Sequence, residues 1–487
     1  MVGAVRAFVA AAVATTVSAI LVAPSTASAE PFNVAPAPPA VRDFMNRLAP
    51  PPPVPHRKHP DPRTAGTNED SKVRDVWAAL LPSPTGDPFF DHWPSNLSKL
   101  PPGTVIAARS VTPTVGAVLG QPVRRAVQVK FATTDSRGEP SFGTATVLYP
   151  TVHHAGRGPT PVLINNLAID SLGASCTPGY AMSHPRTLGT NDPDRLPPTT
   201  QWALDRGFIV VVPDHQGARM AYADPIVAGR VVLDSIRAID NHDAALATPR
   251  PPGTLPLTTR PLGISKSPMV MSGFSGGAIA AHGAVKQLDD YAPELKGRIR
   301  ATALGGLPAD FSLLPASMNA TWATGVLHVA TLGLIRERPY LLADANNLAQ
   351  WIATSPIKDT CTAPAGLAGV TLWPMQLFSR SGDPFHTPLA KELFRVTAMR
   401  GLASATPLYV YHGTFEWWVP AAGTREFVAE QCRLGVSVDY HEYPAEHFGS
   451  AFMGFPDALS WLDEQAGGPH VAPLPIPRTS GGCPRKP

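Results

Sequence analysis

From about residue 125 onward, short apolar runs alternate with longer mixed stretches. The first pair differs from the rest. Residues 127–133 alternate apolar and polar side chains as a half-buried strand does. Ser136-Arg137-Gly138 makes a turn, and residues 143–149 read as the returning strand. Continuous apolar runs follow at 161–164, 208–212, 269–271, 300–304, 408–411 and 436–440. Runs of that kind belong inside a parallel sheet covered on both faces. Helical candidates lie between them, among them 229–240 and 276–288. The alternation predicts an α/β protein, with a mostly parallel central sheet and helices on both faces.

One interval breaks the pattern. Between 310 and 370 there are apolar helical stretches, 322–335 and 340–352, and no clear strand. This predicts a helical cap insertion over about 311–370, above the carboxyl edge of the sheet. The ends of the chain also stand apart. Arg6 precedes an apolar stretch from 7 to 23 that closes on Ala27-Ser28-Ala29, the pattern of a signal peptide over 1–29 cut before Glu30. Residues 30–69 are Pro-rich, including Pro50-Pro51-Pro52-Pro53, and read as a flexible segment. A globular domain over 70–467 and a tail over 468–487 complete the organisation.

Composition narrows the class. A net charge of +3 on 487 residues argues against a nucleic-acid partner. Only 16% of residues are charged and 56 are proline, which suits a loop-rich secreted protein with an ordinary apolar content of 44%. Four cysteines, Cys176, Cys361, Cys432 and Cys483, fit two disulfides in an exported chain, and their spacing leaves three pairings open. No cysteine pair has zinc-knuckle spacing, so neither a metal nor a cofactor is expected.

The chemistry centres on Gly273-Phe274-Ser275-Gly276-Gly277, which follows one apolar run and opens a small-residue helix. This is G-x-S-x-G between strand and helix, the nucleophile elbow of an α/β-hydrolase fold. Its serine needs a base. His447, after the last strand, has the expected position, whereas His282 and His441 read as packing residues and His412 as a neighbour of the site. The acid belongs in the turn after 408–411, where Glu416 is the available carboxylate. Asp383, in Ser381-Gly382-Asp383-Pro384, is the alternative acid, and the order of elements favours Glu416. The backbone N–H of Gly276 is one oxyanion donor, and the loop holding Asp170 is the place for the second. An ionised aspartate there would oppose the developing charge, so its N–H or a protonated carboxyl is required.

Several further motifs join this set: Asp87-Pro88-Phe89, Asp170 with Cys176-Thr177-Pro178-Gly179-Tyr180-Ala181, Val212-Pro213-Asp214-His215-Gln216-Gly217, Val232-Leu233-Asp234-Ser235-Ile236-Arg237-Ala238, Gly305-Gly306-Leu307-Pro308-Ala309-Asp310 and Glu446-His447. Together they resemble the secretory lipase family, the lipase A type with its actinobacterial branch, over residues from about 87 to 461. The resemblance implies a triad of Ser275, Glu416 and His447, with oxyanion donors at Asp170 and Gly276 and a cap after Asp310. It also implies a Cys176–Cys361 bridge, leaving Cys432 for Cys483. The family acid is normally aspartate, so Glu416 is a departure. The implied activity is hydrolysis of acylglycerols or other lipid esters, with transient contact at a lipid interface and no cofactor. An acyltransferase of the same mechanism, and a non-catalytic surface-binding protein that kept the fold, are the alternatives.

Overall fold

The computed structural model describes residues 34–483, apart from 57–60, 65, 67–68, 186–197, 248–263 and 363–368. Residues 1–29, read above as a signal peptide, lie outside that range. The described residues form a ten-stranded sheet in the order β1-β2-β3-β5-β4-β6-β7-β8-β9-β10. Its strands are β1 (Val105–Ser110), β2 (Arg125–Thr134), β3 (Pro140–Tyr149), β4 (Val162–Asn166), β5 (Ile209–Pro213), β6 (Met269–Phe274), β7 (Ile299–Gly305), β8 (Leu408–Gly413), β9 (Val438–Tyr443) and β10 (Thr479–Cys483). From β5 through β9 all neighbours are parallel, while β1, β2, β3 and β10 join antiparallel. This is the α/β-hydrolase fold.

The parallel strands are buried throughout because both faces are covered. On one face Ile164, Val211, Met269 and Met271 pack against the helices Pro225–Ala247 and Gly276–Tyr291. On the other, Val210, Val270, Ala303 and Tyr409 meet the helices Thr199–Asp205 and His447–Gln465. The strand order reverses at β4, with β5 on one side and β6 on the other. Such a switch point leaves a crevice at the strands' carboxyl ends, where ligands bind in open α/β sheets.

Four boundaries differ from the sequence reading. The segment inserted between β7 and β8 runs from 306 to 407 and includes the helix Pro388–Ala398, so it extends beyond 370. The closing helix begins at His447 and carries Pro456 inside it. That proline reads as a helix start in sequence, yet the helix continues past it. Within the Pro-rich segment, residues 34–56 are not a free arm. Pro39–Arg47 is helical, and the stretch is tied to the insertion by Gln376 Nε2 to Ala35 O (2.9 Å), Asn46 Nδ2 to Arg380 O (3.0 Å) and Trp351 Nε1 to Pro50 O (2.8 Å). The tail supplies β10, which covers the outer edge of β9.

The structure pairs Cys176 with Cys361 and Cys432 with Cys483. The first joins the loop after β4 to the insertion, and the second holds β10 against the helix Ala421–Arg433. Among the described residues no helix is long and apolar enough to cross a membrane, and no cluster of three metal-ligating side chains occurs.

Candidate active site

Ser275 stands at the turn between β6 and the helix Gly276–Tyr291, with φ 53° and ψ −119°. A non-glycine residue at positive φ is strained by about 1–3 kcal/mol and persists only where its surroundings enforce it. Here the Ser275 N–H donates to Gly305 O (2.9 Å) and its carbonyl accepts from Ile279 N–H (3.1 Å). The flanking glycines permit the turn because three close approaches exclude a side chain. A Cβ at Gly273 would lie 2.2 Å from Gly277 O, one at Gly277 would lie 1.9 Å from Asn166 O, and one at Gly276 would lie 1.8 Å from Asp170 Oδ1. The last approach also puts the Asp170 carboxyl directly over the helix N-terminus.

His447 Nε2 is 2.9 Å from Ser275 Oγ, and His447 Nδ1 is 2.6 Å from Glu416 Oε2. The other Glu416 oxygen accepts from the N–H groups of Trp418 (2.8 Å) and Val419 (3.2 Å). Burial alone would raise the Glu416 carboxyl, but the charge and hydrogen bond of His447 hold it below its ordinary value. Burial likewise disfavours the His447 imidazolium, and Glu416 reverses that, raising the imidazole above its ordinary 6.5. The helix that begins at His447 directs its positive end toward the ring. A carboxylate on the opposite nitrogen offsets that field. Trp418 lies beside the imidazole, ring centroids 5.4 Å apart, and Phe274 lies 5.0 Å away.

Asp170 has φ 44° and lines the same cavity. Burial pushes its carboxyl up to about 6, against the opposing effects of His447 and the Tyr222 hydroxyl. Its loop is pinned to the insertion: Thr362 Oγ1 donates to Ile169 O (2.7 Å), and Leu172 N–H donates to Thr360 O (2.9 Å). Cys176–Cys361 reinforces the same junction.

Of the sequence-predicted residues, the structure brings Ser275, Gly276, Asp170, Glu416 and His447 together. It does not bring Asp383 there. That carboxylate sits in the insertion, 2.6 Å from His386 Nδ1. His282 packs edge-on against Phe427, and His441 bonds Ser480 on β10. His412 is more than a neighbour. Its Nε2 bonds Val419 O (2.8 Å), and Thr424 Oγ1 lies 3.2 Å from its Nδ1, so it braces the turn that presents Glu416. Sequence reasoning missed Tyr222, the hydroxyl partner of Asp170, which carries no local motif. It also missed Glu446 as the N-cap of the histidine helix, accepting from Phe448 and Gly449 N–H. An acidic residue just before a helix is the signal that could have shown it.

These side chains open into a cavity of about 1150 Å³, lined mostly by apolar residues of the insertion and of the helix His447–Gln465. Residues 199–472, more than half of the chain, match the model of the secretory lipase family. The protein belongs to the secretory lipase family. Candida antarctica lipase A in its closed state shares the fold, with a TM-score of 0.68 at 24% identity, over 82% of this chain and 90% of that one. Lipase A of Moesziomyces aphidis is 27% identical over 406 residues, 80% of this chain and 81% of the relative. A probable inactive lipase of Mycobacterium tuberculosis is 26% identical over 396 residues, 80% of this chain and 83% of that protein. Fungal and mycobacterial relatives thus match about equally well, and no branch of the family is singled out.

Proposed function

We propose that this secretory lipase family member is an exported serine ester hydrolase that cleaves lipid esters through an acyl-enzyme on Ser275. The observation that carries the reading is the continuous chain Ser275 Oγ, His447, Glu416 at 2.9 and 2.6 Å, opening into an apolar cavity. Ser275 attacks the ester carbonyl while His447 Nε2 takes its proton. Glu416 holds the ring in the tautomer with Nδ1–H and stabilises the imidazolium. Gly276 N–H, with Asp170 as second donor, receives the oxyanion. His447 returns the proton to the leaving alcohol, and water then releases the acid by the same route. The Asp170 carboxyl, pushed up only to about 6, is largely ionised at the pH where His447 is a neutral base, so its backbone N–H is the donor that suits the role.

The two disulfides fit export with cleavage before Glu30. Phe448, Phe452 and Trp373 line the cavity while remaining 56%, 43% and 49% exposed. Such exposed aromatic side chains suit brief contact with a lipid surface.

The test is hydrolysis of p-nitrophenyl esters with acyl chains from acetyl to palmitoyl. The cavity predicts turnover that favours medium and long chains over acetyl. Folded protein inactive on every ester would remove the reading and favour a binding protein of the same fold. A pH prediction follows from the raised imidazole. The base must be neutral, so kcat/KM should fall as pH drops through the His447 pKa, with the half-point above 6.5. A profile from pH 5 to 9 whose acid limb lies below 6.5 would contradict it.

A further inference from the structure

We propose that the cavity has a second limb, on the side of the sheet away from the insertion, that binds the alkyl chain of the ester's alcohol. The inference rests on the hydrolase reading and extends it to the substrate class: esters carrying long apolar groups on both sides of the bond.

Two sets of residues line the cavity. Met318, Leu327 and Phe385 belong to the insertion. The other set lies between the sheet and the helix His447–Gln465. Side chains alternate along a strand. Met269 and Met271 of β6 therefore face the nucleophile helix, whereas Val270, Ser272 and Phe274 face the helix His447–Gln465. Ser272, Ala303 of β7 and Tyr411 of β8 line the cavity from that face of the sheet. Opposite them stand Phe455, Ala458 and Leu459 of the histidine helix. With Ala451 they occupy positions i, i+4, i+7 and i+8, which is one face of a helix. The volume of about 1150 Å³ exceeds the roughly 300–1,000 Å³ of an ordinary small-ligand site, as two chains require.

Chemistry assigns the limbs. His447 must give its proton to the leaving oxygen as the carbonyl carbon–oxygen bond breaks, so the alcohol lies on the histidine's side. The second limb is built from the later turns of the helix that His447 begins. The apolar side chains of the insertion line the remainder of the cavity, which leaves that part for the acyl chain. One polar cluster of the second limb is satisfied internally. Asn165 Nδ2 donates to Thr199 and Thr200 Oγ1 (2.9 and 3.0 Å), and its Oδ1 accepts from Ser272 Oγ (2.9 Å). With Phe455, Ala458, Leu459 and Ala303 around it, the limb is mainly apolar and suits a fatty alcohol better than a sugar.

The test compares two ester pairs. Ethyl and hexadecyl octanoate vary the alcohol, and ethyl butanoate and ethyl hexadecanoate vary the acyl chain. Ala458→Trp should lower the hexadecyl-to-ethyl ratio of kcat/KM by about 10-fold or more relative to wild type. Leu327→Trp should instead lower the hexadecanoate-to-butanoate ratio by about 10-fold and shift the alcohol ratio by less than about 2-fold. Melting curves establish folding, and Leu459→Phe, one position along the same helix face, replaces Ala458→Trp if that variant unfolds. Parallel changes in both pairs, or an alcohol ratio that does not move, would overturn the second limb. Wild-type protein inactive on all four esters would instead defeat the hydrolase reading itself.

Discussion

Ser275→Ala is expected to lower kcat on the best ester by about 10⁶-fold, the scale seen when a serine hydrolase loses its nucleophile. The substitution removes Oγ and little else. Alanine meets the same penalty at φ 53° as serine, and the backbone bonds to Gly305 and Ile279 do not involve the side chain. The variant should therefore melt within a few degrees of wild type, and any residual rate reports the oxyanion donors and binding alone. Retention of activity within about 10-fold would mean that another group carries out the attack. The measurement has added weight here because one relative is a probable inactive lipase.

Glu416→Gln is expected to lower kcat by about 10⁴-fold, by a route that leaves the geometry nearly intact. Oε1 of Glu416 accepts from two backbone N–H groups, at Trp418 and Val419. A glutamine must place its carbonyl oxygen there, because an NH₂ group would face two donors. Its NH₂ then points at His447 Nδ1, which can only accept. The ring's proton moves to Nε2 and confronts the Ser275 hydroxyl, so the base can no longer take the proton. Asp383→Asn serves as the comparison. Its carboxylate is engaged with His386 in the insertion, and kcat should change by less than about 2-fold. If Asp383→Asn were the damaging change and Glu416→Gln the mild one, the acid would have been assigned wrongly.

What the sequence showed tracks the range of the forces involved. The parallel strands were legible because burial on both faces leaves a continuous apolar run. The nucleophile turn was legible because three close approaches, two to backbone and one to the Asp170 carboxyl, each demand a glycine within five residues. The turn around Glu416 was legible only through the order of elements, since nothing local marks a carboxylate as a partner of a histidine 31 residues on. The helix Pro39–Arg47 escaped for a different reason. Only Met45 in it is buried, and the segment is held by hydrogen bonds to groups some 300 residues away. Strand β10 reads Thr-Ser-Gly-Gly-Cys, in which only Thr favours a strand and two glycines oppose it. Its conformation comes from the edge of β9 and the bond to Cys432.

The fastening at Thr362 and Cys361 limits how the protein could admit a bulky guest. A lid that swung up as one body would draw Ile169–Leu172 with it and carry Asp170 off its perch above Gly276. Entry and catalytic readiness would then exclude each other. The staple lies midway along the insertion and fixes that part of it to the loop that holds Asp170. Admission of an ester is then expected to depend on movement of side chains at the cavity, such as the exposed Trp373, Phe448 and Phe452, with Asp170 and Gly276 left in place.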